Sequence, residues 1–591
     1  MASNKKLKIP YGVTDFATMR RKEYYYVDKT RFIRKLEDEG NFVFFLRPRR
    51  FGKSLMLNVI QAYYDINYAS EFDELFDGLD AGKNPTEEHS KYLILKFNFS
   101  AVNPVKEKVQ ESFNAEVLQT LYDFVDSYAD YLPAGTLDRL NGIKECDQAL
   151  NYVLSRVKAA KQRVYLLIDE YDNFANTMMA DNEDNYMDLT HGDGFFRLFF
   201  NILKKATTDL DAAIERMFIT GVTPLTLSDV TSGFNIGANF SLNPNYNEMV
   251  GFTEDEVRTM LEYYRDATGV FKHPVDELIE VMKPWYNNNC FSSRSAKTQR
   301  MFNSDMTLYF TFNYIALDGC LPQDMIDTNV RSDYNKMRKM VKMDKSFGEK
   351  GQIIQAIFEN KGCSYKLKPE FSLFDLQSSE NLASHLFYMG LLTYGLDKDG
   401  YTSLVIPNQV VYEQYYKYME DCYKRYLNWY TDINTMNRLG MTLVRKGEAK
   451  PLFDYICHQI TTDSSNRDFD AQAESFVKGF FLAKLGGSNN DYLITTTEPE
   501  ENHGYSDLYM EPWNGECKHS FLVELKYCKH GSTDAEVERK HQEALDQLVQ
   551  YEAAKDLQMK AAGNGWTFHR FAIVFRGWEC QLCEEVVNDQ N

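Results

Sequence analysis

A chain of 591 residues with a formal net charge of −20 is too long for one hydrophobic core and lacks the basic balance of proteins that coat DNA or anionic membranes. Several domains are therefore expected, and any nucleic-acid contact must be local. Hydrophobic residues make up 44% and charged residues 26%, an ordinary globular balance, and no apolar run approaches the roughly 20 residues of a membrane span.

The first elements are a short apolar run, FVFFL (42–46), stopped by Pro48, and KSLMLNVIQAYYDI (53–66). The run reads as a buried strand. The second segment has helical spacing that puts Leu55, Val59 and Tyr63 on one face. Strands are predicted at 92–97, 164–168 and 216–220, with helices between the first two, and this alternation predicts a parallel α/β sheet. At GFTEDEV (251–257), Thr253 and Glu256 have the spacing of a capping box. They open a mostly helical stretch to 345, interrupted by the loop WYNNNCFSSRS (285–295). The basic run Arg331 to Lys345 reads as a solvated helix face. Residues 380–415 read as a helix and two strands broken at DKDG (397–400), compatible with a winged-helix unit. Residues 412–458 are helical and Tyr-rich, and the remainder returns to α/β alternation.

The ten cysteines show no framework, and MASNKKLKIPYGV at the N-terminus has no apolar signal region, so a reducing cytoplasm is expected. Cys580 and Cys583 form a lone C-x-x-C. Zinc would need two more ligands, with Cys517 and Cys528 the nearby candidates, and no metal site is expected there.

Two groups of residues carry chemistry. In LRPRRFGKSL (46–55), Gly52-Lys53-Ser54 lies between the predicted strand and helix, where a phosphate-binding loop belongs. Gly52 lets backbone N–H groups approach phosphate, Lys53 reaches the β- and γ-phosphates, and Ser54, followed by Leu55, binds Mg²⁺. The usual first glycine is replaced by Arg47. Arg47, Arg49 and Arg50 either bring charge toward phosphates or pair with acids elsewhere. VYLLIDEYD (164–172) is an apolar strand ending in acids. Asp169 is placed to hold Mg²⁺ through water, and Glu170 stands where a general base for water attack belongs. Thr220, at the end of the next strand, either senses a γ-phosphate or caps a turn.

The second group is near the C-terminus. Asp507 in GYSDLY precedes SFLVELKY (520–527), where Glu524 and Lys526 are two apart and share one strand face. This is a D…(D/E)-x-K arrangement, suited to a hard divalent cation held by Asp507 and Glu524 beside a lysine that orients water.

YVDKT (26–30), LRPRRFGKSL, LIDEYD (167–172), FITGV (218–222), GFTEDEV and VIPN (405–408), with the C-terminal set, resemble the bacterial AAA-ATPase-like proteins fused to a PD-(D/E)XK nuclease-like domain. The likeness implies a multidomain α/β fold. It would comprise a P-loop ATPase domain (1–250), a helical lid (251–345), a helical or winged-helix-like connector (346–455) and a restriction-endonuclease-like domain (456–591). It implies ATP and Mg²⁺, with Mn²⁺ an alternative at the nuclease site, and a DNA substrate. Arg50 and Phe51 match the family's phosphate loop; the loop WYNNNCF departs from its WY-x-G-Y-x-F form. Glu474, on an upstream helix, stands where these folds carry another acid. Gln547 and Tyr551 resemble the Gln-x-x-x-Tyr of the helix beside RecB-like active sites. An arginine finger is not assigned, and a homo-oligomer stays open. Three functions compete: an ATP-regulated metal-dependent DNA nuclease, a STAND-like signalling ATPase whose C-terminal domain only binds nucleic acid or a partner protein, and an interaction protein with two vestigial sites.

Overall fold

The structure is a computed structural model that describes residues 6–181, 183–190, 194–208, 212–225, 237–333, 349–372, 375–376, 378–397, 400–427, 432–463, 473–489, 491–496, 507–550 and 552–586. Most of the Arg331–Lys345 run, and Tyr551, lie outside them. Contacts divide the chain into one compact unit of Met1–Cys320 with Tyr365–Leu396 and another of Leu321–Ser364 with Asp397–Asn591.

The first unit is built on five strands: β1 (Phe42–Leu46), β2 (Leu93–Asn98), β3 (Val164–Asp169), β4 (Ile214–Gly221) and β5 (Ala238–Asn239). They lie in the order β2-β3-β4-β1-β5, and every pairing is parallel. β3 is buried along its whole length, as expected of an apolar run covered on both faces. On one face, helix Lys53–Tyr64 sets Tyr64 against Tyr165, with ring centroids 5.0 Å apart. Helix Phe195–Thr208 sets Phe199 edge-on to Phe97 at 5.3 Å. Because the strands are parallel, all their carboxyl ends share one edge, where ligands bind in open α/β sheets. Register there aligns Leu46 with Gly221, Ile168 with Ile219 and Asn98 with Asp169.

The predicted helical stretch contains Glu254–Thr268, Val275–Tyr286 and Ser304–Ala316. Its capping box is present: Thr253 Oγ1 accepts from Glu256 N at 3.2 Å and Glu256 Oε2 accepts from Thr253 N at 2.9 Å. The same Glu256 receives both bonds of buried Lys29, at 2.6 and 2.7 Å, which ties YVDKT to GFTEDEV.

In sequence between the strands of the two larger sheets come short strands β6 (Gly362–Cys363), β7 (Thr393–Leu396) and β8 (Thr402–Val405), with helix Ser379–Tyr388 before β7. The second unit carries a mixed sheet of β9 (Leu493–Thr496), β10 (Leu508–Pro512), β11 (His519–Cys528), β12 (Thr567–Arg576) and β13 (Glu579–Glu585). Its order is β13-β12-β11-β10-β9, with only β11–β12 parallel. FAIVF (571–575) lies within interior strand β12, and β13 is the edge. Helix Asp534–Gln550 buries Ala544 and Leu548 against Leu522 and Ala572 on one face. Helices Lys450–Asp463 and Ala473–Asn489 cover the other, with Phe453 packed edge-on against Phe571 at 4.9 Å and Phe481 against Phe575 at 6.2 Å.

Candidate functional site

At the carboxyl end of β1 the chain turns through two left-handed residues, Arg50 (φ 65°) and Gly52 (φ 93°), before entering helix Lys53–Tyr64. Glycine accepts such a conformation freely, so Gly52 is in its natural place, and Arg50 is held there by its surroundings. Arg50 Nη1 pairs with Asp305 Oδ2 at 3.0 Å, and the Arg50 carbonyl accepts from Ser304 Oγ at 3.3 Å. Arg47 is not among the left-handed residues, so the turn does not need a glycine at that position.

Arg47 is instead buried, at 1% exposure. Its guanidinium lies 4.2 Å from the Phe45 ring centre and 4.3 Å from that of Phe291. It donates to the carbonyls of Leu46 (2.9 Å), Ser241 (2.5 Å) and Tyr246 (3.0 Å). This residue is a strut rather than a phosphate ligand. Phe51, also buried, meets Phe291 edge-on at 5.2 Å, and its carbonyl accepts from Gly251 N at 2.9 Å. The WYNNNCF loop therefore has a structural task. Asn247 Oδ1 accepts from Phe291 N at 2.9 Å, and Thr393 Oγ1 accepts from Cys290 N at 2.7 Å. These bonds hold Phe291 against both Arg47 and Phe51.

Lys53 Nζ donates to the carbonyls of Arg47 and Pro48, each at 2.9 Å. Burial pushes its pKa down to about 8, against the opposing pull of Asp169, Glu170 and Asp172. The loop and the acids of β3 thus share one electrostatic site. Asp169 is buried and accepts from Glu170 N at 3.0 Å. Glu170 takes a left-handed backbone (φ 50°), uncommon outside glycine and a mark of functional turns. Burial raises its pKa, and Arg49 opposes the rise. Arg49 also donates to Asn173 Oδ1 at 2.7 Å. Ser54 is half-buried on the first helical turn, as is Leu55. A hydroxyl and a carboxylate of this kind are hard donors that suit Mg²⁺.

Thr220 sits at the sheet edge as expected, but its hydroxyl donates to the Phe45 carbonyl at 2.9 Å, bracing β1 rather than facing outward. Asp172 accepts from Val222 N, Thr223 N and Thr223 Oγ1, the closest at 2.7 Å, and so clamps the exit of β4. Gly221 is required at that exit, because a Cβ would strike the Tyr171 ring.

In the second unit, β10 and β11 pair antiparallel with Leu508 opposite Val523. One further step of that register sets Asp507 opposite Glu524. Asp507 Oδ2 accepts from Leu525 N at 2.8 Å, and Glu524 Oε1 accepts from Lys526 Nζ at 2.7 Å. Lys478, on helix Ala473–Asn489, pairs with Asp507 Oδ1 at 3.0 Å. Asp507, Lys526, Lys478 and Val477 line a cleft of about 240 Å³, joined by Glu359 and Asn360 from the end of helix Glu349–Glu359. Glu474 lies in the first turn of the helix that carries Lys478, its side chain outside the described residues. Gln547 is half-buried on the helix over the Glu524 face of the sheet but is not among the residues lining the cleft.

Lys478 and Glu359 were not found by sequence reasoning. Lys478 follows Glu474 by one helical turn in AESFVKGFF, a spacing that put it on the acid's face. Glu359 comes from a distant segment and carries no local signal.

Glu524 is almost fully buried, and desolvation together with the Asp507 charge pushes its carboxyl up to about 7, with Lys526 opposing. Among the described residues no group of three or more His, Cys, Asp and Glu is arranged to hold a metal. Two carboxylates still suit Mg²⁺, which keeps several waters and commonly takes one or two carboxylates plus phosphate oxygens. A cation held by Glu524 would compete with its proton. Apparent Mn²⁺ affinity is therefore expected to fall by up to about tenfold per unit as pH drops below about 7, and to be level above about 8. Titration calorimetry from pH ~6 to ~8 measures this slope. A flat wild-type profile, or the same slope in Glu524→Gln, would show that Glu524 does not bind the ion. Without metal the linkage has the opposite sense. The raised carboxyl binds its proton more tightly in the folded state, so its contribution to stability is full at low pH and is lost as pH rises from the ordinary value of 4.5 toward 7.

A parallel sheet whose first strand feeds a lysine-bearing loop and whose third ends in acids defines a P-loop nucleotide-binding domain. The Asp/Glu/Lys set on a mixed, helix-covered sheet defines a nuclease-like domain. Residues 10–231 match the family model described as a predicted AAA-ATPase, and residues 472–585 match that of the PD-(D/E)XK nuclease superfamily. The chain thus joins a AAA-ATPase-like domain to a PD-(D/E)XK nuclease-superfamily domain. It is also similar, at 28% identity over 290 residues, to the "Uncharacterized protein in vnfD 5'region" of Azotobacter chroococcum mcd 1. The similarity covers 47% of this chain and 48% of that protein, so the chain spans about half the length of the curated relative it matches. No described helix is long and apolar enough to cross a membrane.

Proposed function

We propose that this protein binds and hydrolyses ATP in its first unit and uses that cycle to control metal-dependent cleavage of DNA in its second, in the cytoplasm. The reading keeps the four-part division at 250, 345 and 455. The observation that carries it is the placing of Asp507 opposite buried Glu524, which Lys526 bonds, with Asp507 and Lys526 lining one cleft, in a chain that also keeps Lys53, Asp169 and Glu170 together.

At the nucleotide site, the backbone N–H groups that open helix Lys53–Tyr64 orient phosphate oxygens, Lys53 turns from the loop carbonyls to the β- and γ-phosphates, and Glu170 takes the proton of the attacking water. At the nuclease site, a divalent cation held by Asp507 and Glu524 would supply charge for the phosphate and a more acidic water. Lys526 orients that water or a phosphate oxygen, and Lys478 steadies Asp507. The strongly acidic chain, with a net charge of −20, favours a second reading as a STAND-like signalling ATPase whose C-terminal domain binds without cutting.

The test uses purified full-length protein with DNA and Mg²⁺ or Mn²⁺, with and without ATP. Cleavage by wild type, its loss in Lys526→Ala and a change in rate with ATP are expected. If wild type and Lys526→Ala give the same cut products, the nuclease assignment fails. If neither cuts while both bind DNA, the signalling reading replaces it.

A further inference from the structure

The C-x-x-C of β13 does not stand alone. In a regular strand Cys580 and Cys583, three apart, would point to opposite faces. The β12–β13 pairing carries a bulge, however: Ile573 faces Cys583, Val574 faces Leu582 and Phe575 faces Cys580, leaving Gln581 as the extra residue. Ile573 and Phe575 are two apart, so both cysteines come to the same side. Glu584 points the other way and meets His541 Nε2 at 2.6 Å, which confirms the facing.

Helix Lys450–Asp463 lies along that side. Near its start Lys450 Nζ donates to the Cys583 carbonyl at 2.6 Å, and near its end Thr461 Oγ1 donates to the Trp578 carbonyl at 3.2 Å. Lys450, Cys457 and Thr461 follow helical spacing on one face. Cys457 is therefore carried onto the strand between these two anchors, over the face that holds Cys580 and Cys583. All three are free thiols; Cys457 and Cys583 are buried and Cys580 is half-buried. The Cys457 thiol lowers the pKa of Cys580, and the same contacts push Cys457 up. Cys580 is thus the accessible member of the three, and access directs oxidation. Three thiols also suit a soft metal, but no metal-holding arrangement occurs among the described residues.

We propose that Cys457 and Cys580 form a peroxide-sensitive pair, with Cys580 the attacking thiolate, Cys457 the resolving thiol and a disulfide between helix and edge strand the product. The Cys580 thiolate attacks hydrogen peroxide: an S–O bond forms, the O–O bond breaks, and hydroxide leaves as water after taking a proton. Cys457 then attacks the sulfenic sulfur: the S–S bond forms, the S–O bond breaks, and a second water leaves with the Cys457 proton. Two thiols lose two electrons and peroxide gains two. A cytoplasmic disulfide of this kind is transient and is reversed by thiol exchange.

The test treats reduced full-length protein with hydrogen peroxide, then alkylates, digests and maps it by mass spectrometry. A Cys457–Cys580 linked peptide is expected, removed by dithiothreitol, together with a higher midpoint of thermal unfolding in the oxidised protein. Cys457→Ser should lose the link and the shift, and should trap Cys580 as a dimedone adduct in excess over exposed Cys320. Cys580→Ser, should the first variant fail to fold, must also lose the link. No linked peptide from wild type, a Cys457 link that survives Cys580→Ser, or labelling of Cys580 no greater than that of Cys320 would each overturn the pair. Stoichiometric zinc on the purified protein that is lost in Cys457→Ser would overturn it in favour of a metal site.

Discussion

Arg47→Ala is expected to destabilise the first unit by about 4 kcal/mol. Three losses add. The carbonyls of Leu46, Ser241 and Tyr246 lose their buried donor, at about 1–3 kcal/mol for each group left unsatisfied, although water entering the vacated space offsets part of this. Two ring faces, Phe45 and Phe291, lose a cation, and a large side chain leaves a void at a packed position. Burial already presses the Arg47 pKa below the usual arginine value, yet the group stays charged at neutral pH, so the surrounding carbonyls and rings hold a cation without a carboxylate. Arg47→Lys should recover less than half the loss, because an ammonium cannot lie flat between two rings while serving three acceptors. Chemical denaturation followed by tryptophan fluorescence, with ATP affinity measured on the folded fraction, checks this. A variant that unfolds at the wild-type midpoint but binds ATP poorly would make Arg47 a phosphate ligand and refute the strut.

The second large effect is at Lys53. Replacing it by alanine should weaken ATP binding about 100-fold, the loss of roughly 3 kcal/mol from a charge-assisted contact to phosphate. AMP, which lacks the β- and γ-phosphates, should bind both proteins equally. The pH dependence adds a second readout. Burial holds the Lys53 pKa at about 8, and a bound phosphate raises it. Its contribution to affinity is then full below the free value and is lost as pH climbs through the bound one. ATP affinity of wild type should fall as pH goes from about 7 to about 9, with proton uptake on binding, and Lys53→Ala should lack that slope. Unchanged ATP affinity in a folded Lys53→Ala would remove the basis for a phosphate loop at this position.

Local regularity decided what could be read from the sequence. FVFFL, VYLLID and the helix after Gly52 were legible because their periods are those of buried strands and an amphipathic helix. The Thr253–Glu256 box and the pairing of Glu524 with Lys526 were legible because their spacings are short and geometric. Asp507 was legible as an acid, but its place opposite Glu524 depends on the β10–β11 register. Arg47 was misleading for the opposite reason. Its task depends on Phe291, Ser241 and Tyr246, about 200 residues or more away in sequence, and no local pattern announces a buried guanidinium. Thr220 lies at the expected edge, but its hydroxyl turns to the Phe45 carbonyl, a partner on another strand that no local pattern announces. Lys478 and Glu359 reach the cleft beside Asp507 from separate helices, and the shared facing of the C-x-x-C cysteines depends on a bulge that spacing alone conceals.

The packing around Phe51 has a mechanical consequence. A side chain on Gly251 would sit 3.0 Å from the Phe302 carbonyl and 3.2 Å from the Phe51 ring, so there is no slack between the loop and the start of the helical stretch. Arg50 grips Asp305 on the first turn of a further helix, and Phe291 presses on both Phe51 and Arg47. Close-packed interiors transmit small displacements instead of absorbing them. The loop and these helices are geared together: a shift of the loop backbone, even of a few tenths of an ångström, would be passed to the helices packed against it.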